Sequence, residues 1–190
     1  MVYDEESISL LLKALHYSAD KHRNQRRKDE QATPYINHPI DVVDVLWRIG
    51  QVRHIPTLAA AVLHDTIEDT SATADEVRRL FGDEVTKLVM EVTDDKSLPY
   101  AVRKQLQIEH APILSTEAKQ IKLADKICND YDISHSPPKN WSQQRLTEYL
   151  DWSEKVVAGL RGANLAMETY FDDVLRDARN LLAEREQRQA

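Results

Sequence analysis

The sequence predicts an all-α fold organised as one domain. Three observations carry this: apolar residues recur at helical spacing through most of the chain, strand-like alternation is nearly absent, and only four glycines punctuate 190 residues. With 42% apolar content, a chain of this length can bury a core of its own. The spacing predicts about eight to ten helices. Residues 1–183 are expected to form the domain, and 184–190 a polar, frayed tail.

Taken in order, Ile8, Leu11, Leu12, Leu15 and Ala19 mark a first amphipathic helix with a continuous buried stripe. It runs into charge, five of the eight residues from Lys21 to Lys28 being basic. In a solvated helix end such residues are simply favoured by the negative end of the dipole; in an acidic protein they also mark where a phosphorylated ligand would be steered. Pro34 and Pro39 hold the next segment extended and place His38 at a rigid corner, either as a surface cap or as a ligand, with Tyr35 as packing. A helix carrying Val42, Val45, Leu46 and Ile49 follows and closes at Gly50.

The central helix is expected from Pro56 to Glu68. It ends in His64-Asp65-Thr66-Ile67-Glu68-Asp69, so His64 and Glu68, and likewise Asp65 and Asp69, stand one turn apart. Thr73-Ala74-Asp75-Glu76 has the form of a capping box for a helix that Gly82 ends. Asp83 is expected to cap the next helix, whose stripe is Val85, Leu88, Val89 and Val92. Asp94, Asp95 and Lys96 read as site-rim residues or as ordinary turn charge.

A helix from Pro99 to Ala111 breaks at Pro112, and Ser115 or Thr116 caps the one that follows. On it Ile121, Ala124 and Cys128 define an apolar face that also carries Asp125, a carboxylate in need of a partner. That partner is a lysine or a metal ion, and Lys122 and Asn129 border the same cavity. Pro137 and Pro138 end this helix. Two long amphipathic helices finish the fold on either side of Gly162, with Trp141 and Trp152 read as packing.

Lys plus Arg total 25 against 32 for Asp plus Glu, and the net charge of -7 argues against a general nucleic-acid surface. Cys128 is the single cysteine, which excludes an internal disulfide and a cysteine-rich zinc site and fits a reducing compartment. No apolar run is long enough to span a bilayer and no secretory signal is present, so a soluble, cytoplasmic protein is expected.

Together His38, His64, Asp65 and Asp125 offer two imidazoles and two carboxylates from separated helices. Such mixed nitrogen and oxygen donors suit Mn²⁺ or Fe²⁺ better than a closed structural zinc site. Glu68 and Asp69, one turn from two of these ligands, are placed to orient a water and handle its proton against an electrophilic phosphorus.

These residues resemble the metal pattern of the HD phosphohydrolase superfamily. Arg26-Arg27-Lys28, Thr33-Pro34-Tyr35-Ile36-Asn37-His38-Pro39, His64-Asp65-Thr66-Ile67-Glu68-Asp69-Thr70, Glu91-Val92-Thr93-Asp94-Asp95-Lys96 and Lys122-Leu123-Ala124-Asp125-Lys126 are similar to strings of the RelA/SpoT hydrolase domain. Their order resembles the small stand-alone alarmone hydrolases, metazoan members included, from the first helix to about Phe171. The resemblance implies a compact helical HD-type domain and Mn²⁺-dependent removal of the 3′-pyrophosphate from guanosine tetra- or pentaphosphate (ppGpp, pppGpp), without a synthetase domain. By position it implies one Mn²⁺ on His38, His64, Asp65 and Asp125, with Glu68 and Asp69 as the catalytic acidic pair. Arg27 and Lys28 would line the nucleotide pocket, with Tyr35, Asn129 and Tyr149 nearby. Neither a nucleic-acid nor a membrane partner is implied, and the oligomeric state is left open. The chain departs from the pattern after Asn129, where an aliphatic residue and an arginine are usual and Asp130 and Tyr131 stand here. That departure bears on base selectivity. Two other readings stay open: 2′-phosphatase activity on NADPH, and a non-catalytic nucleotide sensor, whose mark would be loss of a ligand or of the acidic pair.

Overall fold

The computed structural model describes residues 4–189, and their regular structure is helical apart from one isolated bridge between Arg26 and Pro34. The helices are α1 (Glu5–Lys21), α2 (Asn37–Asp44), α3 (Ile55–Leu63), α4 (Thr66–Asp69), α5 (Ala74–Val92), α6 (Tyr100–His110), α7 (Thr116–His135), α8 (Gln143–Leu160) and α9 (Leu165–Gln189). Two of them are organising. Every residue of α3 from Thr57 to Leu63 is buried, as befits a short helix that is apolar on all sides. Helix α7 packs against α2, α3, α5, α8 and α9, so its residues are seen from every side of the core. Among the described residues no helix is long and apolar enough to cross a membrane.

Most helix ends follow from local chemistry. Thr73 accepts from the Glu76 amide, Ser115 from Ala118 and Ser142 from Arg145, each satisfying an amide that the helix leaves free. Gly82 adopts φ +84, a left-handed conformation that kinks α5 where the sequence expects one helix to stop and another to start. The Asp83 side chain pairs with Arg78 at 3.1 Å rather than serving as the expected cap. After α2 the chain makes a π-helical turn over Val45–Ile49, and a side chain on Gly50 would collide with Met167.

The stripe expected of α1 holds in part. Leu11 and Leu15 pack against the core beside buried Ala14 and Ser18, while Ile8, Leu12 and Ala19 are exposed. Helix α1 lies against the alanine-rich α3, and small side chains let two helices approach closely. At the other end α9 continues to Gln189, so the polar residues 184–189 extend the last helix, with Ala190 outside the described residues.

Candidate active site

Three separate pieces of chain bring His38, His64, Asp65 and Asp125 together. His38 sits in the first turn of α2, His64 and Asp65 in the break between α3 and α4, and Asp125 in the middle of α7. His38 Nε2 lies 3.1 Å from Asp125 Oδ1 and 4.0 Å from Asp65 Oδ2. His64 Nε2 lies 3.1 Å from Asp65 Oδ2 and 3.8 Å from Asp125 Oδ1. One donor atom from each of His38, His64 and Asp65 falls within 4.8 Å of the others. His38 is buried, not the surface cap that a His before Pro could have been.

This donor set fits a divalent cation. His64 Nδ1 lies 2.8 Å from the Ala61 carbonyl, which can only accept, so Nδ1 carries the ring proton and Nε2 points its lone pair into the cluster. That Nε2 is buried and has no hydrogen-bond partner. Burial opposes a charged ring, but Asp65 and Asp125 outweigh it and push His64 up to about 9, so the carboxylates around this nitrogen favour positive charge at its position. Burial likewise opposes ionisation of Asp125, yet Lys126 and the two imidazoles hold it well below the usual carboxylate range. Lysine and imidazole both answer the need of Asp125: Oδ2 meets Lys126 Nζ at 3.1 Å, and Oδ1 faces His38. Asn129 Nδ2 donates to the same Oδ1 at 2.6 Å, and Tyr35 Oη donates to Asp65 Oδ2 at 2.5 Å, so both carboxylates are fixed from outside the cluster.

The expected single helix from Pro56 to Glu68 is interrupted at His64 and Asp65. Two side chains meet the carbonyls at the break: His64 Nδ1 faces Ala61 O, and Thr66 Oγ1 donates to Leu63 O at 2.6 Å. Asp69 N still donates to Asp65 O at 2.8 Å, so the acidic pair keeps roughly its one-turn offset. Glu68 accepts from the Asp94 amide at 3.1 Å and lies 3.6 Å from Arg103. Burial first, and then the Asp94, Asp65 and Asp69 charges, push Glu68 up to about 6 against the help of that amide. Asp69 accepts from Gln25 at 3.1 Å and pairs with Lys96, which gives the rim lysine a definite task.

Two adjoining cavities flank the cluster. The outer one, about 380 Å³, is lined by Arg27, Lys28, Tyr35, Asn129 and Tyr149, together with Trp141 and Ile133. The inner one, about 280 Å³, contains His64, Asp65, Glu68 and Asp125 and shares Lys28, Tyr35, His38, Asn129 and Tyr149 with the first. Arg27 is anchored by Asp132 at 2.5 Å and Asn129 at 3.3 Å. The basic cluster starts at the end of α1 with Lys21, but Arg26 to Lys28 lie beyond it on a looped-back segment where Arg27 N donates to Thr33 O at 2.8 Å.

Sequence reasoning missed the contribution of α6. Tyr100, Arg103, Lys104 and Gln107 all line the inner cavity, and their i, i+3, i+4, i+7 spacing was a legible signal for a polar face turned toward a cavity. Trp141 and Trp152 pack against the core as expected, and each also lines one of the cavities. The two unusual residues after Asn129 line neither cavity. Asp130 is fully buried, and half-exposed Tyr131 stacks on His135 with ring centroids 3.9 Å apart.

An all-helical domain with two histidines and two aspartates arranged in this way has the form of an HD hydrolase domain, and the family model described as HD domain matches residues 14–151. Among known proteins, the guanosine-3′,5′-bis(diphosphate) 3′-pyrophosphohydrolase MESH1 of Danio rerio is 49% identical over 85% of this chain and 90% of its own length. The protein of the same name from Homo sapiens is 51% identical over 83% of this chain and 88% of its own. A solved structure described as a metazoan ortholog of SpoT that hydrolyzes ppGpp superposes with a TM-score of 0.89 at 45% identity, covering 95% of this chain and 99% of that one. The chain belongs to this HD-domain family of MESH1 proteins.

Proposed function

We propose that this protein is a guanosine-3′,5′-bis(diphosphate) 3′-pyrophosphohydrolase that works with one divalent cation, Mn²⁺ foremost, held by His38, His64, Asp65 and Asp125. The observation that carries the reading is the buried Nε2 of His64, aimed by the Ala61 carbonyl at the Asp65 and Asp125 carboxylates without a hydrogen bond to either. A cation bound there supplies Lewis acidity to a phosphoryl oxygen and a water. The chain's own residues do the rest. Glu68, poised at about 6, accepts the proton of the attacking water near neutral pH, and Asp69, tethered by Gln25 and Lys96, orients that water. Arg27, Lys28, Tyr35, Asn129 and Tyr149 receive the nucleotide in the outer cavity. The water oxygen bonds to the phosphorus next to the ribose, the bond from that phosphorus to O3′ breaks, and O3′ leaves with a proton. The products are GDP or GTP and pyrophosphate.

Incubation of the Mn²⁺-loaded protein with ppGpp, pppGpp and NADPH, with products resolved, tests this. Pyrophosphate release from the guanosine substrates that stops on chelation is the expected result. Orthophosphate from NADPH alone would replace this function with a 2′-phosphatase, and no turnover with metal bound would leave a sensor.

A further inference from the structure

The inner cavity extends past the histidine–aspartate cluster to a wall formed by α6 and α8, where Lys104 and Trp152 meet. Most charges in this cavity already have partners. Arg103 lies 3.6 Å from Glu68, Lys122 3.9 Å from Asp94 and Lys126 3.1 Å from Asp125. Lys104 differs: among the described residues no carboxylate forms an ion pair with it. Its ammonium is enclosed by aromatic faces instead, 4.1 Å from the centroid of Trp152, 5.0 Å from Tyr149 and 5.3 Å from Tyr100. The enclosure is fixed, since Trp152 Nε1 donates to the carbonyl of Lys104 itself at 3.0 Å. Lys126 Nζ stands 4.4 Å from the same indole, which concentrates positive charge on this wall. Burial, and then the charges of Lys126 and Arg145, bring Lys104 down to about 8. An arriving anion reverses that balance, because a phosphate oxygen is the partner the ammonium lacks.

Resting on the pyrophosphohydrolase reading, we propose that the Lys104–Trp152 end of the inner cavity is the subsite for the terminal phosphate of the leaving pyrophosphate. The two cavities differ in what lies beyond the residues they share. The outer one adds Trp141 and Ile133 for a nucleoside beside Arg26 and Arg27, while the inner one adds Lys104, Lys122 and Lys126 beyond the cluster. A nucleoside seated outside, with its 3′ phosphorus at the cluster, sends the remaining phosphate inward to Lys104.

Calorimetric titration of the Mn²⁺-loaded protein with inorganic pyrophosphate and, separately, with GDP tests the subsite without relying on turnover. Lys104→Met keeps the aliphatic stem and removes the charge, and Lys104→Arg keeps the charge. In Lys104→Met, affinity for pyrophosphate falls about tenfold or more while affinity for GDP changes less than about threefold, and Lys104→Arg recovers most of the loss. Unchanged pyrophosphate affinity in Lys104→Met overturns the proposal, as does a larger loss for GDP, which would assign Lys104 to the nucleoside end. If Lys104→Met fails to fold, as judged by circular dichroism, Lys104→Gln carries the same comparison. Wild-type pyrophosphate binding sensitive to Lys104, without ppGpp turnover, would retain the subsite and reject the proposed substrate.

Discussion

Helix α7 carries two buried carboxylates five residues apart, and they behave in opposite ways. Asp125 faces two imidazoles, a lysine and an asparagine amide, and is held well below the usual carboxylate range. Asp130 is fully buried with neither oxygen in a hydrogen bond. Burial pushes Asp130 up to about 8, with Ser153 and Lys126 offsetting only part of it. The same side chain at the same depth is thus an anion in one place and a neutral acid in the other. What decides is the set of neighbours, because a low-dielectric interior penalises an isolated charge and rewards a paired one. The chemistry concentrates where the neighbours are polar, and Asp130 is spare.

Substitutions break or sharpen that contrast. The largest effect is expected for Asp125→Asn, which removes a ligand charge: hydrolysis of ppGpp falls by about a thousandfold or more with the helical signal intact. Elemental analysis of the purified variant should find little metal, and a variant that kept both metal and activity would detach Asp125 from the site. Next comes Glu68→Gln, which retains the shape but cannot accept a proton. Its turnover should drop by about a hundredfold to ten-thousandfold while bound metal stays near wild type, readable from initial rates beside metal content.

Asp130→Leu turns the comparison round. It replaces a buried, unpartnered acid with an aliphatic group and should raise stability by about 1 to 3 kcal/mol with ppGpp turnover retained, as measured by denaturant melts and initial rates. Its pH dependence gives a finer check. Unfolded, Asp130 titrates near 3.8; folded, near 8, so the native state holds a proton that the unfolded chain has released. Its contribution to stability is fully present below 3.8, falls as pH rises, and is gone once pH passes about 8. Melts from pH 5 to 9 should show wild type losing more stability than Asp130→Leu, and parallel curves would refute a neutral Asp130. The smallest effect is expected for Tyr131→Ala: its ring lies outside both cavities, so KM for ppGpp should change less than about twofold.

Much of the site was readable because its motifs are local. The order of His38, His64-Asp65 and Asp125, and the offset of Glu68 and Asp69, follow from spacing alone. The capping hydroxyls of Thr73 and Ser115 did too. Orientation was less legible. Position 130 follows directly after Asn129, which borders both cavities, yet α7 turns it into the core, while Tyr131 faces solvent and His135. One residue along a helix is a rotation of about 100°, so adjacency in sequence says little about which surface a side chain meets. The buried face of α1 was placed only in part for a related reason: Leu11 and Leu15 pack inward, but which neighbours join them depends on the partner helix, and here they are Ala14 and Ser18, with Ile8 and Leu12 left exposed.

The sequence by itself determined the helical class, many helix ends and which histidines and aspartates were candidates for one cluster, since these depend on periodicity, capping chemistry and donor type, all written in short stretches. Only the tertiary structure decided which polar residues of α6 turn to the cavity, that Lys104 is answered by rings instead of a carboxylate, and that Asp125 and Asp130 have contrary ionisation. Those properties arise from electric fields and contacts between segments far apart in the chain, and such distances exist only once the helices have packed.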